Sequence, residues 1–297
     1  MTTAISILTS DNWLDYELVD SGDGQKLERF GEYLFVRPEV QSIWKKSLAP
    51  EQWQTAQAYF QPSGEESGGH WVFTCKIPER WKMNYGKLTF WAQTTPGRHL
   101  GVFPESAAHW DWMSGLIKSA PGPVNVLNLF GYTGLATLAA AAAGAHVTHV
   151  DASKRSVTWA RENQELSGLQ DQPIRWIVDD ALKFVQREAR RGVKYHGFII
   201  DPPKFGRGPK GEVWEVYRSL PILLDSCRQL LDQNPLFAVL TVYAVKASSV
   251  HIRTVLQEML EGHAGNFESG ELVTRERSAG RLLSSAVFAR WWDQRSE

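Results

Sequence analysis

The chain predicts an α/β fold: a doubly wound, Rossmann-like sheet preceded by a smaller β-rich domain. Three observations carry this. Residues 124–134, Val-Asn-Val-Leu-Asn-Leu-Phe-Gly-Tyr-Thr-Gly, are β-formers that end in a loop with glycines at 131 and 134, and an alanine-rich helix over 135–143 follows at once. From residue 100 onward, short apolar runs alternate with helical periodicity, the pattern of βα units around a parallel sheet. Before that, the chain reads as short strands separated by turns. The division predicted is a β-rich N-terminal domain over 1–97 and the α/β domain over 98–297, with Thr95-Pro-Gly97 as the hinge.

In order, Trp13, Leu14, Tyr16 and Leu18 suggest an early strand, and Ser21-Gly-Asp-Gly24 is a turn. Alternation over 25–37 includes a strand at 33–36. The stretch with Trp44, Trp53 and Tyr59 holds a short helix, and 61–69 is a loop rich in Gly, Ser, Glu and Pro. Residues 71–76 and 87–93 read as paired strands around a polar link, 78–86. The aromatics of this domain are expected to be exposed and to position a substrate. A helix over 106–118, with Trp110, Met113 and Ile117 at helical spacing, stops at Pro121-Gly-Pro123. After the strand before Gly131, strands are expected at 146–150, 174–178, 196–200 and 236–243. Helices are expected at 135–143, 153–167, 181–191, 213–231 and 248–260, with Ser153 an N-cap and Gly168 just past a C-terminus. His109 reads as a surface or capping residue.

The chain of 297 residues suffices for one large or two modest domains. Its formal net charge is −1, so it has no whole-molecule basic field, and any nucleic-acid contact must use local patches. The two cysteines, Cys75 and Cys227, lie far apart and form no CxxC, which argues against a disulfide framework or a zinc site; no metal is expected. No signal segment or long apolar span is evident, so the expected location is cytoplasmic. No internal repeat is evident.

The strand ends indicate the ligand. A dinucleotide normally requires Gly-x-Gly-x-x-Gly, and only Gly131-x-x-Gly134 is present; the Gly-Lys-Ser/Thr phosphate loop is also missing. The next strand ends in Asp151, the third in Asp179-Asp180-Ala181, and the fourth in Asp201-Pro202-Pro203-Lys204-Phe205. A glycine loop, an acid, an acid pair and an Asp-Pro-Pro, in that order at βα spacing, fit a nucleoside ligand without a phosphate. That points to S-adenosyl-L-methionine (SAM). Gly131 and Gly134, with Asn128, Phe130 and Tyr132 around them, would wrap its methionine half. Thr133, at the helix start, would face the methionine carboxylate or simply cap the helix. Asp151, followed by Ala152 and Ser153, would accept the ribose hydroxyls, the alternative being a solvated acid. Asp180, with the N–H of Ala181, would read the adenine edge or cap the next helix, and both can hold at once. Asp179 reads as a surface acid.

Asn128-Leu-Phe-Gly-Tyr-Thr-Gly134, Asp201-Pro-Pro-Lys-Phe205 and Gly101-Val-Phe-Pro-Glu105 resemble class I SAM-dependent methyltransferases. The nearest group is the bacterial 23S large-subunit ribosomal RNA methyltransferases that modify cytosine C5 or guanine N7, and within it a branch with Phe-Gly-Arg-Gly after the Asp-Pro-Pro-Lys. The resemblance spans roughly residues 100–291. It implies a seven-stranded class I methyltransferase sheet ending in an antiparallel hairpin, for which 270–275 and 286–291 would serve. It implies that Asp201, Pro202, Pro203 and Lys204 form the catalytic turn against the methyl acceptor, with Asp201 polarising or deprotonating it. It places Asn163, Phe103 and Glu105 by the cofactor, with Glu105 standing where the family has Asp, and implies a homodimer. Phe205 would stack on an extruded base or simply pack; Lys204, Arg207 and Lys210 would hold phosphates or form a solvated loop; Tyr243 would flank the acceptor.

One departure bears on the chemistry. Methylating cytosine C5 needs a thiolate that adds at C6. The cytosine enzymes keep it just after strand five, where this chain reads Thr241-Val-Tyr-Ala244. Cys75 and Cys227 are expected to be buried small hydrophobes. The expected function is therefore SAM-dependent methylation of RNA, ribosomal first of all, at a nitrogen that attacks the methyl group directly. The alternatives are a small-molecule or protein acceptor, a non-catalytic nucleoside-binding module, and a nicotinamide oxidoreductase, against which the glycine count argues.

Overall fold

The structure, a computed structural model, describes residues 4–63 and 68–294. It divides into two compact units. One holds the chain up to Leu8, Ser106–Leu272 and the chain from Ser285; the other holds Thr9–Glu105 with Val273–Ser284.

After a first strand, β1 (Ser6–Thr9), the smaller unit runs through β2 (Tyr16–Gly22), β3 (Gln25–Phe30), β4 (Tyr33–Pro38), a one-turn helix α1 (Pro50–Trp53), β5 (Ala58–Pro62), β6 (Gly69–Phe73), β7 (Arg80–Tyr85) and β8 (Leu88–Gln93). Strands β2 to β6 form one sheet in chain order, and β7 and β8 form a separate hairpin. The expected pairing of 71–76 with 87–93 is corrected: β6 pairs with β5, and β8 with β7. The supposed polar link is itself a strand, because Trp81, Met83 and Tyr85 alternate inward between exposed neighbours. The loop expected over 61–69 is shorter, since Gln61 and Pro62 end β5 and Gly69 opens β6; residues 64–67 lie outside the described residues.

The aromatics expected on this unit's surface instead form much of its core. Trp13, Trp53 and Trp81 are buried. Trp13 lies 4.5 Å from Tyr85, Tyr16 5.0 Å from Phe30, and Phe35 stacks on Trp81 at 5.4 Å. Large rings let a small unit bury much apolar area with few side chains. Among them sits a buried ion pair. Arg37 donates from Nε and Nη2 to the two Glu28 oxygens, both at 2.7 Å, and the Tyr16 hydroxyl donates to Glu28 at 2.9 Å.

Burial pushes the Glu28 carboxyl up, but Arg37 and Lys26 pull harder and hold it at about 2 against an ordinary 4.5. Arg37→Met removes both charge-assisted hydrogen bonds that the buried Glu28 receives from Arg37, leaving Lys26, at 3.7 Å, as its cationic contact, and is expected to lower stability by up to about 3–5 kcal/mol in denaturant unfolding. Because the folded pKa is depressed, the pair's contribution is complete above pH 4.5 and is lost as pH falls towards 2, so the gap between wild type and variant narrows over that window.

In the larger unit a 3₁₀ turn (Pro104–Ser106) leads into α2 (Ala107–Ser119). There follow β9 (Asn125–Leu129), α3 (Leu135–Ala142), β10 (His146–Asp151), α4 (Lys154–Leu166), β11 (Ile174–Val178), α5 (Ala181–Arg190), β12 (Gly197–Ile200), β13 (Phe205–Arg207), β14 (Val213–Glu215), α6 (Val216–Arg228), β15 (Phe237–Tyr243), α7 (Ser249–Met259), β16 (Asn266–Arg275) and β17 (Leu282–Trp292). The sheet order is β1-β16-β17-β15-β12-β9-β10-β11. Strands β11, β10, β9, β12 and β15 are parallel, and β17 is antiparallel to β15. The expected seven strands are all present, and β1 adds an eighth at the edge beside β16. Gly270 permits this, since a Cβ there would overlap the Ser6 carbonyl. Helices α2, α3 and α4 pack in sequence, as do α5, α6 and α7. The parallel strands are covered as the doubly wound pattern requires: β12 is buried along its whole length.

Three further expectations are corrected. The helix over 213–231 begins only at Val216; β14 precedes it, and Glu215 caps it by accepting from the N–H groups of Tyr217 and Arg218. His109 is buried rather than at the surface, 5.1 Å from the Phe288 ring, and burial followed by the Arg290 charge holds it neutral with a pKa of about 3. Cys75 is exposed, whereas Cys227 is buried in α6 and burial pushes its thiol up. Among the described residues no helix is long and apolar enough to cross a membrane.

Candidate cofactor and acceptor site

The registers align the strand ends. Ile177 pairs with Val150, Val150 with Leu129, Leu129 with Ile200, and Ile200 with Leu240. These five residues form one row across the sheet, so Phe130, Asp151, Val178 and Asp201 all lie at the carboxyl ends of their strands. The chain winds outward from β9 through β10 and β11, then returns to β12 on the other side. The crevice between β9 and β12 is therefore the topological switch point, where open α/β sheets bind ligands.

The glycine loop is held from three sides. From β10, the Val150 carbonyl accepts from Gly131 N–H at 3.0 Å, and Asp151 Oδ2 accepts from Tyr132 N–H at 2.9 Å. From α4, Asn163 donates from Nδ2 to the Thr133 carbonyl at 2.9 Å. From beneath, the His149 ring occupies the space that a Gly131 Cβ would need. Phe130 (φ +59°) and Tyr132 (φ +49°) are left-handed, as is Gly134 (φ +85°). Such conformations persist in non-glycine residues only when the surroundings over-determine them, and they cluster at ligand clamps.

Gly134, not Thr133, is the N-cap of α3; Thr133 is buried in the loop, which corrects its reading as a capping residue. Asn128 turns inward and donates from Nδ2 to Thr137 Oγ1 at 2.8 Å. Gly134→Ala meets both the left-handed φ and the Ala160 Cβ, 2.7 Å from the new methyl group. It is expected to lower the thermal midpoint by an amount equivalent to about 1–3 kcal/mol.

Asp151 is half-buried. Its Oδ2 accepts from Tyr132, and its Oδ1 accepts from Ser153 N–H at 2.8 Å. Burial lifts its carboxyl above the ordinary range, while these two N–H groups pull it back. Each oxygen keeps acceptor capacity, which suits the vicinal hydroxyls of a ribose. Asp180 caps α5, accepting from Lys183 N–H at 2.9 Å, with Ala181 buried behind it. Asp179 is less exposed than a free surface acid, since it pairs with Arg187 and accepts from Asp180 N–H. Ser153 caps α4 by accepting from Ser156 N–H, and Gly168 ends that helix at φ +68°, both as expected.

On the other side of β9, Asp201 N–H approaches the Leu129 carbonyl at 3.4 Å. The turn that follows is clamped. Trp214 Nε1 donates to the Pro203 carbonyl at 2.7 Å, and Val216 N–H donates to the Lys204 carbonyl at 3.0 Å. The glycine-spaced segment after it is a hairpin, not a plain loop: Phe205 pairs with Glu215 and Arg207 with Val213. Lys183 closes on Glu212 at 2.5 Å, and Lys210 N–H donates to Glu212 at 2.9 Å. The hairpin leaves Phe205 59% exposed, its ring 5.5 Å from Lys204 Nζ. Tyr243 closes β15, its hydroxyl 2.9 Å from Ser106 Oγ. Phe103 and Glu105 belong to the smaller unit, where His99 lies 5.0 Å from the Phe103 ring; Glu105 is buried and burial raises its carboxyl.

His149 and Thr137 escaped the sequence reading. A histidine two positions before the strand-end acid, flanked by Thr148 and Val150 in a central strand, was the available signal for His149.

A glycine loop on one strand, followed by acids at the ends of the next two strands along the same carboxyl edge, is the arrangement of a nucleoside-cofactor fold of the class I kind. The crystal structure of the SAM-dependent methyltransferase from Agrobacterium tumefaciens matches with a TM-score of 0.93 and 45% identity, over 99% of this chain and 97% of that one. The ribosomal RNA large subunit methyltransferase K/L of Shewanella frigidimarina is 38% identical over 112 residues, 37% of this chain and 15% of that protein. The ribosomal RNA large subunit methyltransferase K of Neisseria meningitidis serogroup B is 25% identical over 225 residues, 72% of this chain and 61% of that protein. These matches span less than two thirds of the curated relatives' length. No protein-family model matches. The chain belongs to the SAM-dependent methyltransferases, and SAM is its cofactor.

Proposed function

We propose that this methyltransferase modifies RNA, ribosomal RNA first of all, at a nitrogen of a base. The observation that carries the proposal is the placement of Asp201-Pro202-Pro203-Lys204 on the same sheet edge as the glycine loop, one strand away, with the exposed ring of Phe205 beside it. The names of the Shewanella and Neisseria relatives support the substrate class.

Bound SAM supplies an electrophilic methyl group on a sulfonium. The residues do the rest. Asp151 and Asp180 would hold the nucleoside and the glycine loop the amino-acid end, with Asp201 on the neighbouring strand end. The clamps on the Pro203 and Lys204 carbonyls fix the turn, so Asp201 meets the acceptor in one orientation, aligns its nitrogen for in-line attack and takes up the proton released. Phe205 gives an extruded base a face to stack on, and Lys204, Arg207 and Lys210 offer the charges that a phosphate backbone needs.

The cysteines support the nitrogen target. Cys227 is buried in α6 with its thiol pushed up, Cys75 belongs to the smaller unit, and neither stands in a strand-end loop of the larger sheet, which favours a nitrogen over a pyrimidine carbon. Incubation with methyl-labelled SAM and total RNA is expected to put label into material that RNase releases. Label in an RNase-resistant acceptor overturns the RNA reading.

A further inference from the structure

We propose that His149 is a positioning residue for the SAM-binding glycine loop, acting with Asn128 and Thr137 as one buried relay. The inference rests on the cofactor of the family and needs no assumption about the methyl acceptor.

Three observations converge. First, the relay joins the three elements that frame the loop: Asn128 on β9 donates to Thr137 Oγ1 on α3 at 2.8 Å, and Thr137 Oγ1 lies 2.9 Å from His149 Nδ1 on β10. All three residues are buried, His149 and Thr137 with no exposed surface. Second, the imidazole fills the space under Gly131: a Cβ there would overlap three of its ring atoms. Trp176 closes the ring's flank at 4.7 Å. The three consecutive β10 residues thus hold the loop at two neighbouring residues: His149 by its ring and Val150 by its carbonyl at Gly131, and Asp151 by its carboxylate at Tyr132. Third, Nε2 of His149 is buried without a hydrogen-bond partner among the described residues. A buried polar atom left unpaired works against folding, so an apolar ring would serve a purely structural role better. What histidine adds is the Nδ1 contact that fixes the ring against the helix start. Burial holds its pKa at about 3, so the ring is neutral and the relay does not switch near neutral pH.

The loop wraps the methionine half of the cofactor, whereas Asp151 and Asp180 read the adenosine half. Disturbing the relay should therefore discriminate between ligands. His149→Phe keeps the ring and removes the hydrogen bond; His149→Asn keeps an atom that can meet Thr137 and removes most of the ring; Thr137→Val removes the other partner.

Calorimetric titration of the full chain with SAM, S-adenosylhomocysteine and adenosine is the test. His149→Phe and Thr137→Val are each expected to weaken SAM and S-adenosylhomocysteine about threefold to tenfold, the worth of one hydrogen bond, and adenosine by less than twofold. The double variant should lose no more than Thr137→Val alone, since both changes break the His149–Thr137 contact and Thr137→Val also breaks the one to Asn128. His149→Asn should recover part of the loss seen with His149→Phe. Equal loss for all three ligands, or unchanged SAM binding in folded variants, overturns the inference while leaving the cofactor assignment intact. Wild-type protein that binds adenosine but not SAM overturns both. A variant that fails to fold is replaced by Thr137→Ser, which keeps the hydroxyl and must bind SAM as wild type does.

Discussion

Asp201→Asn is expected to abolish turnover while leaving the cofactor bound. The change keeps the shape of the turn, its Trp214 and Val216 clamps, and the amide approach to Leu129. It removes the negative charge that, on the proposed mechanism, orients the acceptor nitrogen and receives its proton. Loss of a positioned base or polariser is worth about 10²–10⁴ in rate. At saturating SAM, kcat should fall by that factor, with the Kd for SAM within about threefold of wild type. Retention of more than a tenth of the wild-type rate would remove Asp201 from the chemistry. Loss of SAM affinity by a similar factor would reassign it to the cofactor.

Asp151→Ala makes the opposite split. The carboxylate keeps acceptor capacity on both oxygens after binding the Tyr132 and Ser153 N–H groups. Two charge-assisted hydrogen bonds to ribose hydroxyls are worth about 3 kcal/mol together, so the Kd for SAM should rise about 100-fold. The Tyr132 contact disappears as well, which loosens the glycine loop. Adenosine should lose most of what SAM loses, unlike in the His149 variants, because on the proposed reading this acid serves the half that the two ligands share; the loosened loop adds a smaller loss for SAM alone. The pH dependence has a definite sign. Burial raises the folded pKa of Asp151, and the hydroxyl donors of a ribose favour its ionised form. Wild-type SAM affinity should therefore weaken as pH falls through that raised pKa, at a less acidic pH than an ordinary aspartate would give, and Asp151→Ala should lack this inflection.

The α/β unit was legible because its signals are local and repeated. Most of the parallel strands are short apolar runs ended by a turn residue, and α4 carries its own caps in Ser153 and Gly168. The smaller unit was harder to read. Its strands are set by which partner a strand finds across the sheet, and 80–85 alternates strand-like only once Trp81, Met83 and Tyr85 are known to face inward. The abundance of tryptophan suggested an exposed surface, but a unit of this size needs those rings for its core. The Phe-Gly-Arg-Gly segment looked like a loop because its glycines are turn signals; Trp214 and Glu212, across the hairpin, order it. The relay under Gly131 lay beyond sequence reasoning because Asn128, Thr137 and His149 sit at spacings with no periodic meaning and meet only once the sheet is built.

The most direct test of the account is mass spectrometry of nucleosides from ribosomal RNA incubated with the protein and methyl-labelled SAM. The account predicts one labelled base carrying its methyl group on nitrogen, absent with Asp201→Asn. Label on cytosine C5, or none in RNA while a protein or small molecule becomes methylated, would contradict it.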